Sequence, residues 1–144
     1  MELIIRECHI NDAEYIQKLN CDEMGYDYSL EDTKTKLENL LGSSKDKIFV
    51  AEIDNMVVGY VHANDYELTY APSMKNIMGI AVSNTYRGNG IGKALLSKVE
   101  EWARVSGAKG VRLVSGGTRL EAHEFYRHMG YDDGKQQLNF KKWF

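Results

Sequence analysis

The feature that most constrains the fold of this chain is a glycine-rich turn, YRGNGIGK at residues 86–93. It follows an apolar run at residues 77–82 that predicts a β-strand, and it opens an amphipathic run at residues 91–105 that predicts a helix. A strand, a glycine turn and a helix N-terminus direct several backbone N–H groups at one point, and glycine leaves room there for an anion. With the charges of Arg87 and Lys93, the turn predicts a binding site for a phosphate or pyrophosphate group.

The spacing of this turn differs from two common nucleotide-binding motifs. A mononucleotide P-loop has a glycine five positions before its Gly-Lys pair and a Ser or Thr after it, whereas this chain has Arg87 and Ala94 at those positions. A dinucleotide fingerprint has the spacing G-x-G-x-x-G near the start of a βαβ unit, whereas Gly88 begins G-x-G-x-G past mid-chain. The remaining alternative to anion binding is a purely structural turn, since glycine is common in turns.

Composition and charge restrict the class of protein. The 144 residues are 43% hydrophobic and 27% charged, which predicts one folded domain over residues 1–144. The net charge of −3 provides no basic footprint, so we expect no nucleic-acid partner. No apolar run reaches the ~20 residues that cross a bilayer and the acidic opening does not resemble a signal peptide, so we expect no membrane partner and a cytoplasmic location. Cys8 and Cys21 form neither a metal-ligand spacing nor a disulfide framework, so we expect reduced thiols and no metal.

The hydrophobic periodicity predicts an α/β fold, with a mixed sheet flanked by helices on both faces. Strands are predicted at residues 3–8, 48–53, 57–66, 77–82, 111–115 and 137–144, with a hairpin turn at Asp54-Asn55. Helices are predicted from a capping box of Asn11 and Glu14, from Ser29 to Gly42, over 91–105, and from a capping box of Thr118 and Glu121 to Gly130. Residues 21–28 and 67–73 are predicted as loops. The apolar tail is predicted either to complete the sheet or to contact a second copy in a homodimer; its large side chains are Leu138, Phe140, Trp143 and Phe144.

A second motif follows the glycine turn by some 30 residues. Residues 122–131 have the form A-x-x-F-Y-x-x-x-G-Y, and the turn before them has the form R-x-x-G-x-G. Together the two motifs resemble the GNAT superfamily of acetyl-CoA-dependent N-acetyltransferases. The resemblance covers most of the chain. It implies a mostly antiparallel central sheet and direct transfer of an acetyl group from acetyl-CoA to an amine.

The resemblance implies where acetyl-CoA binds. The R-x-x-G-x-G turn of this family binds the pyrophosphate of coenzyme A, and the strand before the turn pairs with the pantetheine arm. Carried over to this chain, these residues are Ile80, Ala81, Val82, Arg87, Gly88, Asn89, Gly90, Ile91, Gly92 and Lys93. Arg119 stands where many members have an asparagine, and it either contacts a phosphate or is a solvated cation at the helix start. Ser115 has a similar ambiguity beside the cofactor arm.

The resemblance also implies a general acid and leaves the general base open. Tyr126 matches the tyrosine that is usually proposed to protonate the leaving thiolate. A phenol with a pKa of ~10 is a reasonable donor to a thiolate. The family often has a glutamate on the strand before the turn, but this chain has Asn76, Met78 and Gly79 there. The alternative bases are residues of the neighbouring hairpin, namely Glu52, His62, Asp65 and Glu67.

An acidic and aromatic segment predicts the acceptor. It corresponds to the acceptor-recognition segment of the resembling family and contains Asp22, Glu23, Asp27, Glu31 and Asp32, interleaved with Tyr26 and Tyr28. Carboxylates and aromatic faces suit a cationic amine, so the hypothesis is a small basic acceptor; the alternative is a solvated acidic helix face. Two other activities remain open: acetylation of a protein N-terminus or lysine, and non-catalytic sensing of acyl-CoA.

Overall fold

The computed structural model describes residues 2–132 and 134–144. The chain divides into two compact units, residues 1–113 and residues 114–144. In the first unit, the elements are β1 (Leu3–Glu7), a 3₁₀ turn (Ile10–Asp12), α1 (Ala13–Met24), α2 (Leu30–Leu41), β2 (Asp46–Ile53), β3 (Met56–Leu68), β4 (Ala71–Val82), a 3₁₀ turn (Asn84–Tyr86), α3 (Ile91–Val105) and β5 (Val111–Leu113). In the second unit, the described residues contain α4 (Leu120–His128).

The first unit is built on a five-stranded sheet in the order β1-β2-β3-β4-β5. The pairings β1–β2, β2–β3 and β3–β4 are antiparallel, and β4–β5 is parallel. The predicted mixed, mostly antiparallel sheet is therefore confirmed. The parallel pairing covers only three residues of β4, Lys75, Asn76 and Ile77, which face Val111, Arg112 and Leu113.

Helices cover both faces of this sheet, because adjacent strand residues point to opposite sides. On one face, α1 and α2 pack against Val50 and Tyr60, and the helices contribute Ile16 and Leu37 to that cluster. On the other face α3 approaches Gly59 so closely that a Cβ there would lie 3.3 Å from a side-chain carbon of Ile91. Glycine at that position thus lets α3 sit directly on the sheet.

Two of the predicted turns and caps are confirmed. Asp54 and Asn55 form the hairpin turn with φ values of 50° and 65°, the left-handed region that tight hairpins require. Ser29 caps α2, since its hydroxyl oxygen accepts a hydrogen bond of 3.0 Å from the Asp32 N–H. Both signals are local in sequence, so they do not depend on packing elsewhere.

Three predicted boundaries at helix ends were wrong. Asn11 does not cap α1; a 3₁₀ turn precedes the helix and the Asp12 carboxylate accepts the His9 N–H at 2.8 Å. Residues 21–24, predicted as loop, form the last turn of α1, which ends where Gly25 adopts a φ of 74°. Thr118 does not cap α4, because the cap position is Arg119 and no side chain bonds there.

Two predictions about strands were also wrong. Residues 67–73 are not a loop; β3 and β4 continue to Leu68 and Ala71, which pair across a short turn, and the Asp65–Lys75 cross-strand ion pair of 2.5 Å supports this hairpin. The strand predicted at 137–144 is not formed, and its large apolar side chains are exposed. Apolar residues form a strand only where a neighbouring edge supplies hydrogen bonds.

No helix in the described part of the chain is both long enough and apolar enough to cross a bilayer. The cysteines are free thiols, with Cys8 buried and Cys21 exposed. Burial raises the pKa of Cys8 to about 12.

A charged pair fastens β1 to the start of α1. The Arg6 guanidinium donates two hydrogen bonds of 2.9 Å to the carboxylate of Asp12, whose side chain is 7% exposed. Burial disfavours the charged carboxylate, but the hydrogen bonds from Arg6 and His9 outweigh burial and lower the pKa of Asp12.

We expect Asp12→Asn to lower the free energy of unfolding at pH 7 by about 1.5–3 kcal/mol, because hydrogen bonds to a buried charge are lost. Since the folded pKa lies below the unfolded one, this stabilisation is present above the unfolded value of about 3.9 and is lost as the pH falls through the lower folded value. Urea denaturation at pH 7 and at pH 3 measures both effects. The matched control is Glu52→Gln, whose Arg6 contact is longer at 3.4 Å. A loss in Asp12→Asn no larger than in this control would contradict the assignment.

Candidate functional site

The edge of β4 is open where the strand approaches the glycine turn. The pairing of β5 with β4 involves Lys75, Asn76 and Ile77 and stops there, so among the described residues no strand pairs with residues 78–82 on that side. On its other side, β4 is held by β3, with Ala81 opposite Tyr60 and Val82 opposite Gly59. Ile80, Ala81 and Val82 therefore lie on a supported strand with one free edge, which can pair with an extended amide-containing group.

The glycine turn then presents the N-terminus of α3. Gly88 and Gly90 have φ values of 84° and 75°, and a Cβ at either position would meet nothing within 4 Å. Gly90 caps α3 without a side-chain hydrogen bond, so the N–H groups of the first helical turn are left for another acceptor. Asn89 stabilises the turn through a 2.9 Å hydrogen bond from its side chain to the Tyr86 carbonyl. Backbone N–H groups without a capping side chain at a helix N-terminus suit the binding of a diphosphate.

Glu23 from the last turn of α1 holds the beginning of this turn. Its carboxylate accepts a 3.1 Å hydrogen bond from the Asn84 N–H and a 2.9 Å hydrogen bond from the Arg87 guanidinium. The Glu23 side chain is 14% exposed, whereas that of Arg87 is 56% exposed. Glu23, predicted to recognise the acceptor, thus contacts the predicted phosphate site, and Arg87 keeps donors free for an anion.

The second unit groups the other predicted residues. Tyr126 lies on α4, with its ring 5.3 Å from that of Phe125 and 6.1 Å from that of Tyr131. Burial raises the pKa of Tyr126, and the charge of Arg119 at the start of α4 opposes this shift. Ser115 has a buried hydroxyl oxygen with no hydrogen-bond partner among the described residues. An unpartnered buried hydroxyl is costly unless a ligand satisfies it.

The structure gives the four candidate bases different partners. Glu52 contacts Arg6 at 3.4 Å, Asp65 contacts Lys75 at 2.5 Å, and Glu67 accepts a 2.7 Å hydrogen bond from the Ser73 hydroxyl. His62 differs because its Nε2 lies 2.8 Å from an Asp46 carboxylate oxygen and its ring lines a cavity.

This cavity, of about 140 Å³, lies between α1, α2 and the sheet. Its walls are mainly apolar, with Ile16, Leu37, Leu40 and Ile48. The Tyr60 hydroxyl closes one side by donating a hydrogen bond to Asn20, and burial raises the pKa of Tyr60 to about 12. Sequence reasoning missed Asn20, Asp46 and Tyr60. One sequence signal could have found Tyr60: it lies two positions before the candidate base His62, so the two side chains share one face of β3.

With this geometry established, sequence comparison decides the family. The sequence model of the acetyltransferase (GNAT) family matches residues 13–131. The chain belongs to the GNAT acetyltransferase family. The predicted membership among acetyl-CoA-dependent N-acetyltransferases, and with it the enzyme class, is confirmed.

Individual relatives agree with this assignment. An uncharacterized N-acetyltransferase of Archaeoglobus fulgidus is 34% identical over 97 residues, which cover 66% of each chain. The match therefore spans just under two thirds of that relative's length. The aminoglycoside N(6′)-acetyltransferase type 1 of Stenotrophomonas maltophilia is 25% identical over 116 residues, covering 77% of this GNAT chain and 76% of that protein.

A solved structure confirms the fold. The aminoglycoside N-acetyltransferase AAC(6′)-Iy in complex with CoA matches with a TM-score of 0.88 at 16% identity, covering 98% of this chain and 95% of that chain. At that level of identity, the likeness concerns the fold alone.

We expect Gly90→Ala to weaken binding of coenzyme A by about tenfold or more, which corresponds to about 1.4 kcal/mol. A Cβ at Gly90 occupies space now open to an anion, and the left-handed backbone adds strain of about 1–2 kcal/mol. Isothermal titration calorimetry measures the dissociation constant.

Gly107→Ala is the matched control, because Gly107 has a φ of 81° and equally open surroundings just beyond the other end of α3. We expect it to cost the same stability without changing the affinity for coenzyme A. Equal affinities in the two variants would show that the space at Gly90 does not hold the diphosphate.

Proposed function

We propose that this GNAT protein transfers an acetyl group from acetyl-CoA to a primary amine of a small basic molecule, by direct attack in a ternary complex. The observation that carries the proposal is the free edge of β4, which leads directly into the open N-terminus of α3. The edge suits the amides of a pantetheine arm, and the helix end suits the adjoining diphosphate.

The residues of the two units have distinct roles in this proposal. The backbone of Ile80, Ala81 and Val82 pairs with the pantetheine arm. The turn binds the diphosphate through Arg87, Gly88, Asn89, Gly90, Ile91, Gly92 and Lys93. Arg119 and the unpartnered hydroxyl of Ser115 also contact the cofactor. The family match over residues 13–131 spans both units, which supports a single functional domain over residues 1–144.

The chemistry follows from these roles. Acetyl-CoA supplies the activated acetyl group. A strand N–H stabilises the negative charge that develops on the carbonyl oxygen as the amine attacks, and Tyr126 donates its proton to the departing sulfur. The high pKa of the buried Cys8 keeps that thiol protonated, which supports direct transfer over a covalent acyl-cysteine.

Two observations support a small basic acceptor, and a third supports a reducing compartment. The relative from Stenotrophomonas maltophilia is named for acetylation of aminoglycosides, which are basic small molecules. Asp27 and Glu31, beside the start of α2, are exposed and available to attract a cation. The two free thiols support a cytoplasmic location, where glutathione keeps cysteines reduced.

The experiment is release of free thiol from acetyl-CoA, followed with an amine panel of neamine, spermidine, 2-phenylethylamine and a peptide with a free N-terminus and lysine. Release with a small amine and little with the peptide is the expected result. Thiol release with the peptide alone would show that the acceptor is a protein and not a small molecule. Tight binding of coenzyme A with no thiol release in the presence of any amine would contradict the transferase function.

We expect Tyr126→Phe to lower kcat by about 10²-fold or more while the KM for acetyl-CoA stays unchanged, because only the proton donor is removed. The raised pKa of Tyr126 keeps the phenol protonated across the neutral range. Tyr131→Phe is the control, since it removes a hydroxyl from the neighbouring ring. Equal kcat values in Tyr126→Phe and the wild type would exclude the acid role.

We further propose that the exposed tail mediates a homodimer. Leu138, Phe140 and Trp143 are more than 80% exposed, which is unusual for large apolar side chains in one segment. We expect analytical ultracentrifugation to find a dimer that Phe140→Glu with Trp143→Glu converts to a monomer. A wild-type monomer at micromolar concentration would disprove this assembly.

A further inference from the structure

The cavity between α1, α2 and the sheet is lined by residues outside the glycine turn, and their chemistry suggests what the cavity binds. Four of the ten residues that line it are aliphatic and two are tyrosines, and the polar residues among the rest include Lys36 and the imidazole of His62. No carboxylate belongs to the lining found among the described residues. The acidic side chains predicted to bind a cation lie outside this lining. Glu23 is bound to Arg87 and Asp22 lies 3.5 Å from Lys18. The other three, Asp27, Glu31 and Asp32, are exposed.

His62 is set at the wall of this cavity by a carboxylate on the neighbouring strand. Its Nε2 lies 2.8 Å from Asp46, and the two side chains are only 16% and 14% exposed. A carboxylate at Nε2 favours the tautomer that carries its proton there, which leaves the lone pair on Nδ1. This is the arrangement of a general base held by an orienting acid.

The cavity lies beside the part of β4 that has the free edge. His62 faces Gly79 and Tyr60 faces Ala81 in the β3–β4 register, and paired residues share a face of the sheet. A group in the cavity that contacts Tyr60 and His62 on β3 therefore lies beside the next strand, β4, near the backbone of residues 79–81.

We propose that His62, oriented by Asp46, removes the proton from an acceptor monoamine whose apolar body fills this cavity. The inference rests on the proposed function and deepens it by naming the base and the acceptor class. An internal space of about 150 Å³ holds a benzene-sized group, which matches the observed volume. Polycations do not suit a wall that carries Lys36 and aliphatic groups.

The proton count closes. The acceptor enters as an ammonium ion and gives one proton to Nδ1 of His62, which later releases it to solvent. The free amine forms the C–N bond as the C–S bond breaks. The nitrogen loses its second proton to solvent as the amide forms. The sulfur gains one proton from Tyr126, and the Tyr126 phenolate is reprotonated from solvent, so the net release is one proton.

The kinetic test compares wild type, His62→Gln, Asp46→Asn and Glu67→Gln, with 2-phenylethylamine and spermidine as acceptors. We expect wild type to prefer 2-phenylethylamine, and His62→Gln to lose about 10²-fold in kcat with an unchanged KM for acetyl-CoA. We also expect the fall of kcat/KM at acidic pH, called the acidic limb of the pH profile, to disappear in His62→Gln and to move to another pH in Asp46→Asn. The charged or titratable groups around His62 that bear on this limb are Asp46 on β2, Lys36 on α2, Tyr60 on β3 and Tyr28 before α2.

The control variant Glu67→Gln changes another candidate base, whose contact is to Ser73 at the far end of the hairpin, and should match wild type. Spermidine turnover that exceeds 2-phenylethylamine turnover, or an acidic limb unchanged in His62→Gln, overturns this inference and leaves the transferase function standing. No thiol release with any amine overturns both.

A binding experiment separates the cavity from catalysis. In methyl NMR, 2-phenylethylamine should shift the Ile16 and Ile48 methyl signals, whereas coenzyme A alone should shift Ile91. Shifts from 2-phenylethylamine that leave Ile16 and Ile48 unchanged would place the amine elsewhere and refute the cavity as its site.

Discussion

The constraint on which the proposed acetyl-CoA site depends is the short parallel contact between β4 and β5. Three paired residues attach β5 to the sheet, and β4 then runs on to Val82 with its outer edge open. A longer pairing would satisfy those backbone groups within the sheet and leave nothing for a ligand to join. The same strand is supported by β3 along its inner edge, so the open groups are held in place. The chain then turns through Gly88 and Gly90 into the N-terminus of α3, which has no hydrogen bond from a capping side chain.

Helix α1 contacts both the glycine turn and the cavity. Near its end, Asn20 accepts the hydrogen bond of Tyr60 and Glu23 binds the Asn84–Arg87 turn. At its start, the Arg6–Asp12 pair fastens the preceding turn to β1. One helix thus contributes to the position of the cavity wall and of the glycine turn. The resulting geometry places an apolar pocket with one oriented imidazole near β4, the strand that we propose pairs with acetyl-CoA.

Sequence reasoning succeeded where the signal was local. The amphipathic period gave α3 as residues 91–105, and the Asp54-Asn55 pair and Ser29 marked a turn and a cap because each acts within a few residues. It failed where distant contacts decide. The hairpin at residues 67–73 depends on cross-strand pairs such as Asp65–Lys75, and the tail lacks the neighbouring edge that a strand requires. Glu23 was interpreted as an acceptor-binding residue because its partner in the structure, Arg87, is 64 positions away in the sequence, and local patterns do not reveal such a pair. Likewise, the Asp46 that distinguishes His62 from the other candidate bases is on another strand.

Backbone amide NMR during a coenzyme A titration reports separately on each N–H of the free β4 edge and of the glycine turn. We expect saturable shifts concentrated at residues 80–82 and 88–93, with small changes across β1 and β2. Saturable binding whose shifts avoid both segments, or a folded protein with no shifts at all, would show that the free edge and the turn do not bind coenzyme A.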